Sequence, residues 1–398
     1  MTKHDLPPLP TDTALEVQSV KSLAALDALE TDWDRLFRRD PDANACLSHA
    51  WIRASFAARP ERGFVLAVRD AQGTLIGLLP LKQRLHWSRS RRRFETQFEA
   101  GGRLSMSPYS GLLCDPTRED DVLDALASAL AARPWARLSL LYFGPEPRAR
   151  SFGAALEGEG IEVAWRGYRD PGDQSDKLAA ALIPLPERLE TFLGALPDRG
   201  LARQYAAWRR SNGRVFSAHA ERGDALDTIE PDFLEFFDAA CPPGTRERWT
   251  RYRPSLETAA ATDRLSLAWL ERGGRIAAVA AHLVDPDLGD TLRLFSAAPD
   301  GSDGAIAGYF LTLSVIDRAI SDGGMSYDFG RDAAQIARHF ACEHRPGTYL
   351  VAERPEGGAP CLDPRATGAA LDRIGGFLDR NRIKDARAAC AQLRTLHR

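Results

Sequence analysis

The chain has 398 residues, 44% of them hydrophobic and 27% charged, a folded-protein composition in a chain too long for one ordinary core. Its net charge of -3 provides no overall positive field to gather phosphate backbones, which argues against a nucleic-acid partner. The opening MTKHDLPPLP has no apolar core behind basic residues and no later segment has the length of a bilayer span, so a cytoplasmic protein without a membrane span is expected.

In chain order, a helical segment carrying Trp33, Leu36 and Phe37 leads to Trp51. Phe64 to Leu81 then reads as two apolar runs around a charged, Gly-containing turn, the pattern of a hairpin of buried strands. A helix follows over Asp120 to Arg133, and RLSLLYFGP closes the segment as a strand ending in an aromatic-Gly pair. Tyr168 to Lys177 is polar and turn-rich, as a linker is. The same order then returns: Phe233, Phe236 and Phe237 on a helix, Trp249, a hairpin over Leu265 to Leu283, a helix over Ala305 to Ser321, and the strand MSYDFGR. Aligning Gly73 with Gly274 pairs Phe64 with Leu265, Leu66 with Leu267 and Val68 with Trp269. Two copies of one α/β unit are therefore expected, over 15–168 and 178–354. A helical tail over 365–398 follows, with an apolar stripe at Leu371, Ile374 and Leu378 expected to pack on the second copy. Six cysteines without paired spacing fit a reducing compartment better than a disulfide framework.

Helix, hairpin, strand, helix, strand is the order of an N-acetyltransferase (GNAT) unit, and two in tandem resemble FemAB-like aminoacyltransferases. More closely, the chain resembles the CelD/BcsL-type acetyltransferases of cellulose biosynthesis. The carrying pieces are LSHAW (47–51), GTLIGLLPL (73–81), RGLARQYAAWRRSNGRVF (199–216), GRIAAVAAHL (274–283) and AISDGGMSYDFGRD (319–332). The resemblance implies two GNAT-like units, each a mixed, mostly antiparallel sheet flanked by helices. It also implies an acyl-CoA donor such as acetyl-CoA, a small-molecule or glycan-linked amine or hydroxyl acceptor, and catalysis in the second unit.

By the same resemblance, the CoA pyrophosphate would sit on the helix N-terminus in APDGSDGAIAGYF, where Gly301, Gly304 and Gly308 permit close backbone approach. Asp300 and Asp303 put negative charge at that turn, and an acidic residue there equally starts a helix. The preceding strand, with Phe295 and Ser296, would pair with the pantetheine arm. Arg293 on that strand would meet an anionic group or form a salt bridge.

Asp328 ends a strand at the presumed cleft, where a buried carboxylate can take a proton from the acceptor. Its alternative role is to hold the turn before Gly330. His282 is a second candidate base, with a satisfied core histidine as the alternative. Tyr309 and Tyr327 are candidates to protonate the leaving thiolate, or are packed rings. Arg338 or His339 would supply the basic residue that follows the aspartate in the family, and Arg331 and Arg203 would meet anionic groups of the substrate. HFACEH (339–344) misses both zinc-helix spacings, so no metal is expected. DFG lacks the Gly-rich loop and strand lysine of a kinase. The rival functional class is a non-catalytic scaffold of the same fold, or a transferase using aminoacyl-tRNA.

Overall fold

The computed structural model describes residues 15–104, 106–107, 109–166, 180–211, 217–222, 225–331, 339–355 and 360–396. The first half contributes β1 (Glu16–Val20), β2 (Gly63–Arg69), β3 (Leu75–Ser88), β4 (Arg93–Ala100), β5 (Leu113–Cys114), β6 (Arg137–Leu141) and β7 (Glu162–Trp165). The second contributes β8 (Ala180–Pro184), β9 (Ser217–Arg222), β10 (Leu265–Arg272), β11 (Arg275–Asp285), β12 (Asp290–Ala297), β13 (Ser326–Arg331), β14 (Glu343–Arg345) and β15 (Tyr349–Glu353).

These strands form two sheets, ordered β1-β2-β3-β4-β6-β15-β7, with β5 paired to β3 off that path, and β9-β10-β11-β12-β13-β8-β14. The two orders match position by position. Each expected hairpin forms in register, with Phe64 opposite Leu81 and Leu265 opposite Leu283. Each sheet also has one parallel pair, β4 with β6 and β12 with β13, joined through the helices Glu119–Ala131 and Ser302–Ser321. Parallel pairing needs a crossover of this kind, because a tight turn can only reverse the chain. The expected architecture of two mixed, mostly antiparallel units flanked by helices is thus the one found.

The sixth position of each sheet is filled from across the unit boundary. The strand β15 lies inside the expected second unit, which ends at residue 354, but it pairs with β6 and β7 in the first sheet. In the second sheet the same position is taken by β8, which precedes the rest of its unit. Burial explains why β15 reads as a core strand: Leu350, Val351 and Ala352 are enclosed, and Leu350 and Ala352 pack with Leu138, Leu140 and Phe152.

The two units share a core. Trp33, Leu36, Phe37 and Trp51 from the first belong to the same apolar cluster as Phe233, Phe236, Phe237 and Trp249 from the second. Each fully buried side chain of this size contributes about 1.5–3 kcal/mol relative to an exposed one, so the units are fastened by the aromatic segments that precede their hairpins.

The tail packs on the first unit, which corrects the expectation that it covers the second. The strands β3 and β4 form a long hairpin whose tip exposes Trp87 and Phe94 on one face. Helix Thr367–Asp379 covers them, with Phe377 5.0 Å from Trp87 edge-on and stacked 6.0 Å from Phe94. Gln392, on helix Ile383–Leu396, accepts from the Phe94 N–H at 2.7 Å and donates to its carbonyl at 2.8 Å. The buried stripe is Ala370, Ile374 and Phe377, whereas Leu371 and Leu378 of the expected stripe are exposed. Among the described residues no helix is long and apolar enough to cross a membrane.

Candidate functional site

The parallel pair β12/β13 stays together for only three register positions, Asp290 with Ser326, Thr291 with Tyr327 and Leu292 with Asp328. Beyond them β12 follows β11 instead. A bulge after Arg293 shifts its register, so that His282 faces Arg293 but Ala281 faces Phe295. A bulge of this kind bends and twists the strand that carries it. The backbone of Phe295 and Ser296 therefore lies past the last residue paired with β13, beside an open wedge. Arg293 sits at its apex, where its Nε donates to the Phe329 carbonyl at 3.1 Å and its guanidinium lies 5.3 Å from the Phe329 ring. That answers the two roles considered for Arg293 with a third, a tie between the diverging strands.

A cleft of about 640 Å³ runs along this part of β12 and reaches the start of helix Ser302–Ser321. Ser296, Ala297, Gly301, Gly304, Gly308 and Tyr309 line it. The helix begins at Gly301, with φ of 94° and no side-chain cap, so its first N–H groups are left for a ligand or solvent. A left-handed φ of this size is a glycine conformation. Gly304 has a different reason: a Cβ there would stand 2.0 Å from the Pro299 carbonyl oxygen, so this glycine lets the turn fold back on its own helix. At Gly308 a Cβ would meet one atom, the Ala298 Cβ at 3.7 Å, leaving the helix face open to the cleft.

The electrostatics of the cleft differ from what the acidic turn suggests. Asp303 is engaged by Arg272 at 3.1 Å. Two arginines on helix Thr245–Ala261, Arg248 and Arg251, line the opposite wall. Arg248 is anchored by donating to the Ser296 carbonyl at 2.8 Å and by lying 4.8 Å from the Phe295 ring. Among the described residues Asp300 is the one acid in the lining that faces them. Uncapped helix N–H groups together with two guanidinium groups make a site for an anion such as a pyrophosphate. Sequence reasoning missed both arginines, because helix Thr245–Ala261 carries arginines at 246, 248, 251 and 253 and no local signal marks which face the cleft.

Asp328 is 7% exposed and holds two hydrogen bonds, from Tyr109 Oη at 2.6 Å and from the Gly330 N–H at 2.6 Å. Burial pushes its pKa up to about 6, against the lowering effect of both bonds and of Arg345. The Gly330 bond is the turn-holding role expected as the alternative. The Tyr109 bond is new: it comes from the first unit, and the phenol is held well above its ordinary pKa by burial and by the carboxylate it faces. In the first sheet the wedge equivalent to the cleft is closed by the chain that carries Tyr109. Ser110 bridges to Phe143, its N–H donating to the Tyr142 carbonyl at 2.9 Å. The helix that follows starts with Glu119, Asp120 and Asp121, which repel an anion.

The remaining candidates divide between cleft and core. His282 and Tyr327 are fully buried and bonded to each other, Nε2 to Oη, at 3.1 Å. Burial lowers the imidazole to about 3 and raises the phenol to about 12, so at neutral pH the pair carries no charge. Phe295 is buried among Phe237, Trp249 and Tyr252, leaving only its backbone at the wedge. Tyr309 does line the cleft, and its ring lies 4.5 Å from His339. The His339 Nδ1 in turn sits 3.1 Å from Asp198, the cap of helix Arg199–Arg210. Arg203 is exposed on that helix and is not part of the cleft lining. Arg331 ends β13 opposite Ala180, and its side chain, like Arg338, lies outside the described residues. Among the described residues no three His, Cys, Asp or Glu side chains gather as metal ligands.

No protein-family model and no curated protein matches the chain. Solved structures do. FemX superposes with a TM-score of 0.56 at 9% identity, covering 81% of this chain and 95% of FemX. A tandem GNAT protein from the clavulanic acid biosynthesis pathway gives 0.48 at 14% identity, over 86% of this chain and 100% of that one. L-PGS from Bacillus licheniformis gives 0.46 at 12% identity, over 82% and 92%. At such identities the likeness concerns the fold, and of these three FemX is the one that scores above 0.5, over 81% of this chain.

Proposed function

We propose that the protein is an acyltransferase that takes an acetyl or other acyl group from acyl-CoA and passes it to an amine or hydroxyl. The observation that carries this reading is the cleft beside β12, which joins an open strand edge to an uncapped helix N-terminus faced by Arg248 and Arg251. The helix start and the two arginines suit the pyrophosphate, and the β12 edge past Leu292, no longer paired with β13, suits the pantetheine amides and the thioester oxygen.

In this reading the acceptor attacks the thioester carbonyl directly. A C–N or C–O bond forms, the C–S bond breaks, and the acceptor's proton passes to Asp328 by way of Tyr109, which hands on its own proton; both side chains lie outside the cleft lining itself. A carboxylate with a pKa of about 6 is ionised at neutral pH and close to the operating pH, which suits a general base. The thiolate takes its proton from Tyr309 or water. His282 and Tyr327, buried and outside the cleft lining, move no proton in this reading. A glycan-linked acceptor of polysaccharide or envelope chemistry and a cytoplasmic site of action belong to this proposal through the sequence resemblance.

The test is thiol release from acetyl-CoA and longer acyl-CoA against a panel of amine, hydroxyl and glycan acceptors. Asp328→Asn is expected to lower kcat by about 100-fold or more while leaving CoA affinity in place. Unchanged turnover in that variant would remove Asp328 from the mechanism.

A further inference from the structure

A second cavity, of about 290 Å³, lies in the first unit, far in sequence from the cleft-forming strands. It is lined by Lys21, Phe64, Gln83, Phe98, Arg133, Pro134 and the turn Asp363, Pro364 and Arg365. The turn at 363–365 comes from the tail, so the cavity exists only because the tail folds back on this unit. Its walls are apolar and aromatic: Phe64 and Phe98 meet edge-on at 5.2 Å. Its rim is cationic. Lys21, Arg133 and Arg365 converge on it, and none of the three has a salt bridge within 4 Å among the described residues.

The acid facing these cations, Asp363, attracts Lys21 and Arg133 but forms no ion pair with either among the described residues. Asp363 accepts from the Arg365 backbone N–H at 2.9 Å and from Gln83 Nε2 at 3.4 Å. Its own N–H donates to Thr96 Oγ1 at 2.8 Å, which fixes the turn. The guanidinium of Arg133 lies 5.8 Å from the Phe64 ring, and its Nε is buried with no hydrogen-bond partner. Buried donors of this kind are ordinarily satisfied, so an orphaned one beside a cavity points to an absent acceptor. Burial first and then repulsion from Arg365 lower the pKa of Lys21 and Arg133, against the raising effect of Asp363 on both.

We propose that this cavity is a binding site for a small anion with a flat apolar body, of which an aromatic carboxylate is the simplest member. The carboxylate meets Arg133 Nε and the ammonium and guanidinium of Lys21 and Arg365, and the ring lies against Phe64 and Phe98. The volume falls at the lower limit of small-molecule sites, about 300 Å³, which suits a ligand of one ring. This site is independent of the acyl-CoA reading.

The experiment is calorimetric titration of the full chain with benzoate, benzamide and inorganic phosphate, repeated with Arg365→Ala and Lys21→Ala, both at exposed positions. Expected are saturable benzoate binding at least about tenfold tighter than that of benzamide or phosphate, and at least about tenfold weaker binding in each variant, as loss of one charged hydrogen bond predicts. In the absence of ligand the variants should melt no lower than the parent, because each removes one of three crowded cations. Absence of saturable benzoate binding, equal binding of benzamide, or variants that bind as the parent does would overturn the proposal. Phosphate binding equal to benzoate would overturn the apolar half of it. A lower melting temperature of both unliganded variants would overturn the argument from crowded charge.

Discussion

Replacing Tyr109 with Phe removes one oxygen and leaves the Asp328 carboxylate, among the described residues, with a single donor, the Gly330 N–H. The size of the effect depends on the charge of Asp328. Above its pKa of about 6 the lost bond is charge-assisted and contributes about 1.5–3 kcal/mol. Well below that pH the carboxyl is protonated and the lost bond is a neutral one, contributing about 0.5–1.5 kcal/mol. The sign of the pH dependence follows. The folded pKa lies above the ordinary carboxylate value, so in the parent the folded state holds this proton more tightly and Asp328 makes stability fall as pH rises from about 4 through 6. In Tyr109→Phe the fall should be larger and extend upward by about 1 pH unit, since the two losses differ by about 1–1.5 kcal/mol and each unit is worth about 1.36 kcal/mol. Urea unfolding of parent and variant at pH 4.5 and pH 8 gives both numbers. Equal losses at the two pH values would refute the coupling, and with it the idea that the first unit tunes the carboxylate of the second.

Other consequences are equally direct. The parent kcat/KM should rise with pH through about 6 as Asp328 loses its proton, with no inflection from His282, whose pKa near 3 lies outside the working range. A profile that moves when His282 is replaced by Gln would contradict this. Replacing Arg248 and Arg251 together by Ala should weaken CoA binding by at least about tenfold, as loss of charge-assisted contacts predicts. An unchanged affinity would exclude them from the anion site. In the first unit Arg148, 1% exposed, forks onto Asp40 at 2.7 and 2.9 Å and also reaches Glu119 at 2.9 Å. Arg148→Met strands a fully buried Asp40 and should cost about 3–5 kcal/mol, read by chemical denaturation. A loss under 1 kcal/mol would mean that the N–H groups of Asp42 and Cys114, which donate to the Asp40 carboxylate at 2.9 Å, suffice.

What the sequence carried plainly was whatever is local. The two hairpins announced themselves through apolar runs around Gly73 and Gly274, and the helices Glu119–Ala131 and Ser302–Ser321 through their periodicity. Asp328 was legible as a strand carboxylate, although it lies inside β13 rather than at its end, and the start of its neighbouring helix as a glycine-rich turn. What was not legible is long-range. Nothing in YLVAE says that it pairs with a strand more than 200 residues earlier, and nothing around Tyr109 says that its hydroxyl reaches a carboxylate 219 positions away. The tail misled for a related reason: Leu371 and Leu378 look like its apolar face, but the partner surface is the aromatic tip at Trp87 and Phe94, which selects Phe377 instead. The negative look of DGSDG was a composition effect, undone by Arg272 on Asp303 and by two arginines from another helix.

The central claim is that the cleft beside β12 binds an acyl-CoA, and calorimetric titration with CoA and acetyl-CoA tests it most directly. Gly308→Glu serves as the control, since that position opens onto the cleft and tolerates a side chain. Saturable binding to the parent that the glutamate abolishes is the predicted result. No saturable binding of CoA, acetyl-CoA or a longer acyl-CoA to the folded parent would contradict it.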